Sequence, residues 1–395
     1  MANSIDGTTG TAERGGPPTL LVANRAEIAV RVAATAADLG IPTVAVHPVD
    51  DAACLHVMRC DRAVEIPGFG ARAYLDADAL VRAAHDSGST MLHPGYGFLA
   101  ENEGLALACE AGNIVFVGPS AEILSLFGDK PQALALARRL GVATLETDLG
   151  YFDTVDDLVE AVQGRMAGGS GSEPLLIKAR AGGGGRGLTL VETSTPPEEI
   201  AAAARRCADE ARAAFGDGTL YVERYLRAAR HIEVQVLGDH HGDVVALGER
   251  ECSLQRRRQK LLEIGPVPGI HPRLRERIVE DALAMARSCR YDSLGTFEFL
   301  VDVSETSGRL DEACPHYFIE ANARIQVEHT VTEMTTGLDL VALQLAVAQG
   351  ASLTELGLSA DTQPPPRGFA IEARINTEIL EPDGTVVPTA GTITR

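Results

Sequence analysis

The most constraining stretch of this chain is a pair of apolar strands that carry acids. Residues 296–300 read Thr-Phe-Glu-Phe-Leu and residues 317–322 read Tyr-Phe-Ile-Glu-Ala-Asn, so Glu298, Glu320 and Asn322 interrupt runs built of aromatic and aliphatic side chains. Such composition predicts two strands. A carboxylate in apolar surroundings is costly unless a cation answers it, so the fold must bring positive charge to these strands. Two carboxylates and an amide oxygen on facing strands form a hard-oxygen set suited to Mg²⁺, which keeps waters and bridges nucleotide phosphates. Continued as an extended chain, the second strand would set Glu320, Asn322, Arg324, Gln326 and Glu328 on one face and Ala321, Ala323, Ile325 and Val327 on the other. Arg324 would then stand beside the metal as an anion clamp and Glu328 as a base. An exposed amphipathic strand is the competing reading, and the apolar entry Tyr317-Phe318-Ile319 opposes it.

Positive charge is scarce. The formal net charge is -20, and of 35 Lys and Arg residues only Lys130, Lys178 and Lys260 are lysines. This balance repels phosphate backbones and anionic lipid, which argues against a nucleic-acid or membrane-surface role and obliges any anionic substrate to meet a local basic pocket. Because an ammonium is compact and flexible where a guanidinium is planar, the three lysines mark candidate sites. Lys178 ends a strand that runs into Gly182-Gly183-Gly184-Gly185-Arg186-Gly187. Glycines let backbone N–H groups approach phosphate oxygens closely. No Gly-Lys-Ser/Thr opens a helix here, so this is not a P-loop, and a flexible hairpin tip is the alternative. Lys260 closes the run Glu-Arg-Glu-Cys-Ser-Leu-Gln-Arg-Arg-Arg-Gln-Lys at 249–260, read either as the missing positive potential or as a solvated basic loop.

A chain of 395 residues predicts two or three packed units. Strands at 19–23 and 43–47 around a helix at 26–39, with further apolar runs at 90–92 and 114–117, predict a doubly wound α/β unit. Its first turn, Ala-Asn-Arg-Ala-Glu, lacks G-x-G-x-x-G, which disfavours a dinucleotide site. Helices at 121–126 and 132–140 lead into an α+β region. Its strands are expected at 175–179, 188–191, 219–225, 232–237, 296–301 and 317–322, and its helices at 198–215, 274–289 and 338–348. The tail at 1–18 is expected to be disordered. The seven cysteines show no C-x-x-C pair, and no apolar run approaches a membrane span or a signal segment. The expectation is a cytoplasmic protein with reduced thiols.

At this point a family resemblance emerges. The chain resembles the biotin carboxylases of acetyl-CoA, propionyl-CoA and pyruvate carboxylases over nearly all of 18–395. The matching strings are Val22-Ala23-Asn24-Arg25, His93-Pro94-Gly95-Tyr96-Gly97-Phe98-Leu99 with Glu101-Asn102, Gly128-Asp129-Lys130, the glycine loop, His231-Ile232-Glu233-Val234-Gln235, Gly295-Thr296-Phe297-Glu298-Phe299 and Arg324-Ile325-Gln326-Val327-Glu328-His329. The resemblance implies an N-terminal α/β biotin carboxylase domain at 19–129, an ATP-grasp domain at 130–350 with a mobile lid at about 150–220, and a truncated C-terminal unit at 351–395. It implies that Lys130, Lys178, Gly184 and Gly185 hold ATP phosphates, and that Glu223, Arg224, Tyr225, Leu226 and His231 contact the adenosine part, with Gln255 and Arg258 also at the nucleotide. Glu298, Glu320 and Asn322 would bind Mg²⁺ or Mn²⁺. Lys260, Arg324, Gln326 and Val327 would hold bicarbonate, Glu328 would be its base, and Arg374 would face biotin or carboxyphosphate.

Three departures stand out. Ala26 replaces the family's usual Gly, Arg258 replaces the His of Gln-Arg-Arg-His-Gln-Lys, and the segment 141–146 lacks the usual Pro-rich turn. The chain also stops at Arg395, before the family's last segment, so the expectation is a longer parent chain or a partner that completes the fold. The ending after Glu381 is most similar to fused bacterial acyl-CoA carboxylases, which implies an acyl-CoA acceptor. No lysine here lies beside a methionine, as a biotin attachment site requires, so biotin should arrive on a carrier domain, with a carboxyltransferase in trans or in a longer chain and a homodimer as the family's assembly. Two other functions compete: another ATP-grasp ligase, such as a carbamoyl-phosphate synthase type enzyme, and a truncated ATP-binding assembly subunit.

Overall fold

A computed structural model describes residues 17–167, 173–180, 188–256, 258–359, 365–382 and 385–389. Gly184 and Gly185, and residues 1–16 of the expected tail, lie outside the described residues. The described residues form two compact units, one drawn from 17–100 with 104–117 and the other from 101–103 with 118–389.

In the first unit, strands β1 (Leu20–Val22), β2 (Thr43–His47), β3 (Arg62–Glu65), β4 (Met91–His93) and β5 (Val115–Phe116) form one parallel sheet in the order β3-β2-β1-β4-β5. Helices α1 (Ala26–Asp38), α2 (Leu55–Arg59), α3 (Ala77–Ser87) and α4 (Glu103–Ala111) connect the strands. Only central strands are covered on both faces, and β2 is buried at all five positions, as its unbroken apolar run requires. Helix α1 buries Ile28, Ala29, Val32, Ala33 and Ala36, one stripe of a 3.6-residue period.

The strand order reverses between β1 and β4. There Asn24 donates to the carbonyls of Pro94 and Tyr96 at 2.7 and 2.8 Å. Gly95 is held at φ +65°, and a Cβ on it would lie 2.9 Å from Asn24 Nδ2, so only glycine admits this approach. Ala26, where the sequence departs from the family it resembles, has φ +58° and an exposed side chain. A left-handed backbone costs an L residue roughly 1–2 kcal/mol, part of which glycine gives back through its freer unfolded chain. Ala26→Gly is therefore expected to stabilise the protein by about 1 kcal/mol, read as a raised Tm; a lowered Tm would contradict the strain argument.

The second unit carries two sheets. The smaller is antiparallel, built from β6 (Glu146–Phe152), β7 (Leu175–Ala179), β8 (Leu188–Val191) and β9 (Leu220–Arg224) in the order β6-β9-β7-β8. Helices α5 (Ala121–Gly128) and α6 (Lys130–Arg139) precede it, and α7 (Val155–Ala167) and α8 (Pro197–Phe215) pack on it through Leu158, Val162, Ile200, Ala204 and Cys207. Helix α6 starts where it does because Asp129 caps it, its carboxylate accepting from the Gln132 N–H, with Pro131 in the first turn; Lys130 thereby becomes the first helical residue.

The larger sheet joins β10 (Ala229–Gly238), β11 (Val244–Arg256), β12 (Gln259–Gly265), β13 (Leu294–Asp302), β14 (His316–Asn322) and β15 (Ala370–Ala373) in the antiparallel order β14-β13-β10-β11-β12-β15. Helices α9 (Pro272–Ser288), between β12 and β13, and α10 (His329–Thr336) and α11 (Leu340–Ala348), between β14 and β15, belong to the same unit, and β16 (Glu378–Leu380) pairs with β17 (Val386–Pro388) as a separate hairpin.

One sequence expectation is corrected, and of the two readings of 249–260 the solvated loop falls. Residues 249–256 and 259–260 lie in strands β11 and β12, with Glu249, Arg250, Glu251 and Cys252 buried. Their charges answer partners on neighbouring strands, which a local count of basic residues could not reveal. The extended run expected through Glu328 stops at Asn322, and the chain turns into α10 at His329.

Candidate active site

Strand parity gathers the site. In β13, Phe297 and Phe299 enter an aromatic core, their ring centroids 5.4 Å from Phe127 and 5.8 Å from Phe318 respectively, while Glu298 points to the opposite face. The sequence reading set this carboxylate among phenylalanines, and the two-residue period separates them. Register then fixes its neighbours: Glu233 of β10 and Glu320 of β14 stand directly across from Glu298, and Arg250 of β11 across from Glu233.

Lys260 is the hub. Its ammonium donates to Glu233 Oε2 at 2.5 Å, Glu328 Oε1 at 2.6 Å and Glu298 Oε1 at 3.1 Å. Glu298 also accepts from Asn322 Nδ2 at 2.8 Å, Gln326 Nε2 at 3.0 Å and His231 Nε2 at 2.6 Å, and Gln255 Nε2 lies 2.8 Å from His231 Nδ1. Although the strand ends at Asn322, Arg324, Gln326 and Glu328 still turn inward. Arg324 donates to Asn322 Oδ1 at 2.9 Å and Glu101 Oε2 at 3.0 Å, and Glu328 Oε2 accepts from Arg374 Nη2 at 2.8 Å. Val327, between Gln326 and Glu328, is half-buried.

Arg250 has no exposed surface, yet its donors are all answered: Nε by Glu233 at 2.5 Å, Nη1 by Gln235 and Thr332 at 2.8 Å, Nη2 by Thr296 and Gln326 at 3.3 Å. Arg258, by contrast, sits exposed at the tip of the β11–β12 hairpin with φ +66°.

A second cluster lies on the smaller sheet. Lys178 of β7 donates to Glu223 Oε2 of β9, Tyr221 donates to Glu223 Oε1 at 3.2 Å, and Lys130 Nζ is 3.8 Å from the same oxygen. Burial pushes the Lys178 ammonium down, Glu223 opposes this and Lys130 adds to it, and the exposed Glu320 contributes a smaller opposing field. Arg224, Tyr225 and Leu226 end β9 and lead straight into β10, linking the two sheets, and the Arg224 guanidinium lies 4.9 Å from the centre of the Tyr317 ring.

The charges are tightly matched. Burial alone would raise the Glu298 carboxyl, but Lys260 and then His231 outweigh it and hold it well below the usual carboxylate range. Burial likewise opposes the ionisation of Glu328, and Lys260, Arg250 and Arg374 together bring it down to about 2. Glu223 is lowered against its burial by Lys178 and Lys130. An ionised Glu298, with Glu320 across the strand pair and the Asn322 amide beside them, is a donor set that fits Mg²⁺ or Mn²⁺.

Sequence reasoning gave no role to Glu233, Arg250 or Glu263. Glu233 could have been found from parity, being two residues from His231 on one strand. Arg250 was hidden in a run of charges, and Glu263 owes its place to a pairing with β15 more than a hundred residues away in sequence, Glu263 standing opposite Glu372.

Residues 17–124 match the family described as biotin carboxylase, N-terminal domain, and residues 129–356 the carbamoyl-phosphate synthase L chain, ATP binding domain. A biotin carboxylase of Nostoc is 42% identical over 375 residues, covering 95% of this chain and 78% of that protein. The chain belongs to the biotin carboxylase family. Pyruvate carboxylase 1 of Caenorhabditis elegans is 43% identical over 91% of the chain, which spans 29% of that protein's length. Among solved structures, the biotin carboxylase domain dimer of the Hydrogenobacter thermophilus 2-oxoglutarate carboxylase, in complex with MgADP, ADP and bicarbonate, superposes with a TM-score of 0.82 at 41% identity, covering 91% of this chain and 75% of that one. Two of these relatives are named for pyruvate and 2-oxoglutarate and the third for no acceptor, so the likeness does not single out the acyl-CoA acceptor expected from the sequence.

Proposed function

We propose that this chain carries out the ATP- and bicarbonate-dependent carboxylation of biotin held on a separate carrier. The observation that supports it most is Lys260, one ammonium joining the proposed metal carboxylate Glu298 to the proposed base Glu328. Such a junction suits a small anion that must be deprotonated beside a nucleotide's phosphates.

Bicarbonate is a poor electrophile, and phosphorylation to carboxyphosphate activates it through in-line attack on the γ-phosphorus. Lys130 and Lys178, with Gly184 and Gly185, would neutralise the phosphates. Glu223, Arg224, Tyr225 and Leu226, at the link between the sheets, would meet the adenosine part with His231, Gln255 and Arg258. A divalent cation held by Glu298, Glu320 and Asn322 would supply charge neutralisation at the transferring phosphoryl group. Bicarbonate would take the place of carboxylates among Lys260, Arg324, Gln326 and Val327.

Glu328 as found is too weak a base, because its cations hold it near 2. When bicarbonate draws Lys260 and Arg374 toward itself, Glu328 loses that stabilisation and its basicity rises where the proton must be taken. Carboxyphosphate then breaks its carbon–oxygen bond to give carbon dioxide and inorganic phosphate next to biotin. Once that phosphate has taken the proton of the ureido nitrogen, Arg324 or Arg374 can stabilise the anion that attacks the carbon dioxide.

The carrier domain and a carboxyltransferase, in trans or in a longer chain, and a homodimer complete the proposed assembly. All seven cysteines are free thiols, which supports a reducing, cytoplasmic setting. A tethered biotin should outperform free biotin because tethering raises its local concentration.

Glu320→Gln is expected to leave the fold intact and to abolish Mg²⁺-dependent ATP cleavage; unchanged rates at saturating and limiting Mg²⁺ would remove Glu320 from the metal site. For the function itself, ADP release with bicarbonate should rise when free biotin is added. Stimulation by ammonia or carbamate in place of biotin would favour the carbamoyl-phosphate type, whose ATP-binding domain shares the match at 129–356.

A further inference from the structure

Glu263 has no exposed surface and stands on β12 opposite Glu372 of β15. Its Oε1 lies 2.7 Å from Arg374 Nε. The pair is a close ion contact whose angle falls short of a well-aligned hydrogen bond, and no other side chain is hydrogen-bonded to Glu263 among the described residues. The other edge of the same guanidinium donates to Glu328 at 2.8 Å. Arg374 therefore spans two carboxylates from different elements, just past the end of a four-residue edge strand and anchored there by its own N–H on the Leu261 carbonyl at 2.9 Å.

A buried carboxylate paired so imperfectly weakens the fold. Burial pushes Glu263 up to about 7, with Arg374 opposing and Glu328 and Glu372 adding to the rise. No cation other than Arg374 is paired with it among the described residues. A residue that serves only stability would be neutral here. What Glu263 does supply is a fixed point for a long, many-rotamer side chain whose far end must let go of Glu328 and take hold of a ligand anion.

We propose that Glu263 is the positioning residue of Arg374. It holds the Nε edge, so the guanidinium swings between Glu328 and the arriving carboxylate or ureido group without losing its place. The inference rests on the biotin carboxylase reading of this site.

The test is a double-mutant cycle on the full chain with free biotin as substrate, using wild type, Glu263→Gln, Arg374→Ala and the double variant. Wild type must first show bicarbonate-dependent ADP release stimulated by biotin; if it does not, the functional reading fails and this inference with it. Given that activity, Glu263→Gln should lower kcat/KM for biotin by about tenfold or more, the scale of a misplaced binding group, with the KM for ATP within twofold. Its Tm should equal or exceed that of wild type, since an imperfectly paired buried charge is gone. In the Arg374→Ala background the same change should be silent. Multiplying losses in the double variant, an unchanged kcat/KM for biotin in Glu263→Gln, or a Glu263→Gln that fails to fold while Arg374→Ala folds would each overturn the proposal, the last assigning Glu263 to the scaffold.

Discussion

Lys260→Ala should abolish bicarbonate-dependent ADP release and lower the stability of the fold by about 3–5 kcal/mol at neutral pH, the usual cost of removing one partner from a buried ion pair. Three carboxylates, Glu233, Glu298 and Glu328, share this ammonium, and its side chain is only 12% exposed. Glu298 and Glu328 are held below the ordinary carboxylate range, so their pairing contributes stability above the unfolded value near 4.5, and that contribution is lost as pH falls through the folded value, about 2 for Glu328. Without Lys260 these folded values rise, and the variant is penalised wherever the carboxylates must be ionised. The gap between wild type and variant should therefore be widest at pH 7 and narrow toward pH 5. Denaturant unfolding at the two values measures it, and a gap independent of pH would mean that Lys260 acts through packing and not charge.

Glu328→Gln is expected to lower kcat by about 10²–10⁴, the range for a lost general base, while the KM for ATP stays within a few-fold. The amide keeps the size of the side chain but offers one acceptor oxygen where Lys260 and Arg374 use two, so the variant loses the proton acceptor together with one of these two contacts. Because Glu328 is ionised at every working pH in the free enzyme, the acid limb of kcat/KM should not be set by this residue in wild type. A variant retaining most of its activity would move the base elsewhere.

Much of the fold was legible in the sequence. Strand β2 at Thr43–His47 falls where an unbroken apolar run predicts it, since burial on both faces leaves that signal, and β7 and the partly exposed edge strand β8 also fall where apolar runs bounded by turn residues predict them. The β11–β12 hairpin was not legible, because buried Glu249, Arg250 and Glu251 mimic a solvated loop when their cross-strand partners are unknown. Residues in the candidate site were readable as types, since acids within apolar strands and three isolated lysines draw attention locally. Their grouping was not. The convergence of Lys260 on Glu233, Glu298 and Glu328 depends on registers between strands far apart in sequence, and Arg374 reaches Glu328 only because β15 adds to the edge at β12.

The central claim is most directly tested by following label from bicarbonate. The purified chain, incubated with ¹⁴C-bicarbonate, Mg·ATP and a biotinylated carrier domain, should transfer label to the carrier in an amount matched by ADP formed, and should transfer none when ATP is omitted. ADP release without label on the carrier, or label that appears in carbamoyl phosphate when ammonia is present, would contradict the assignment.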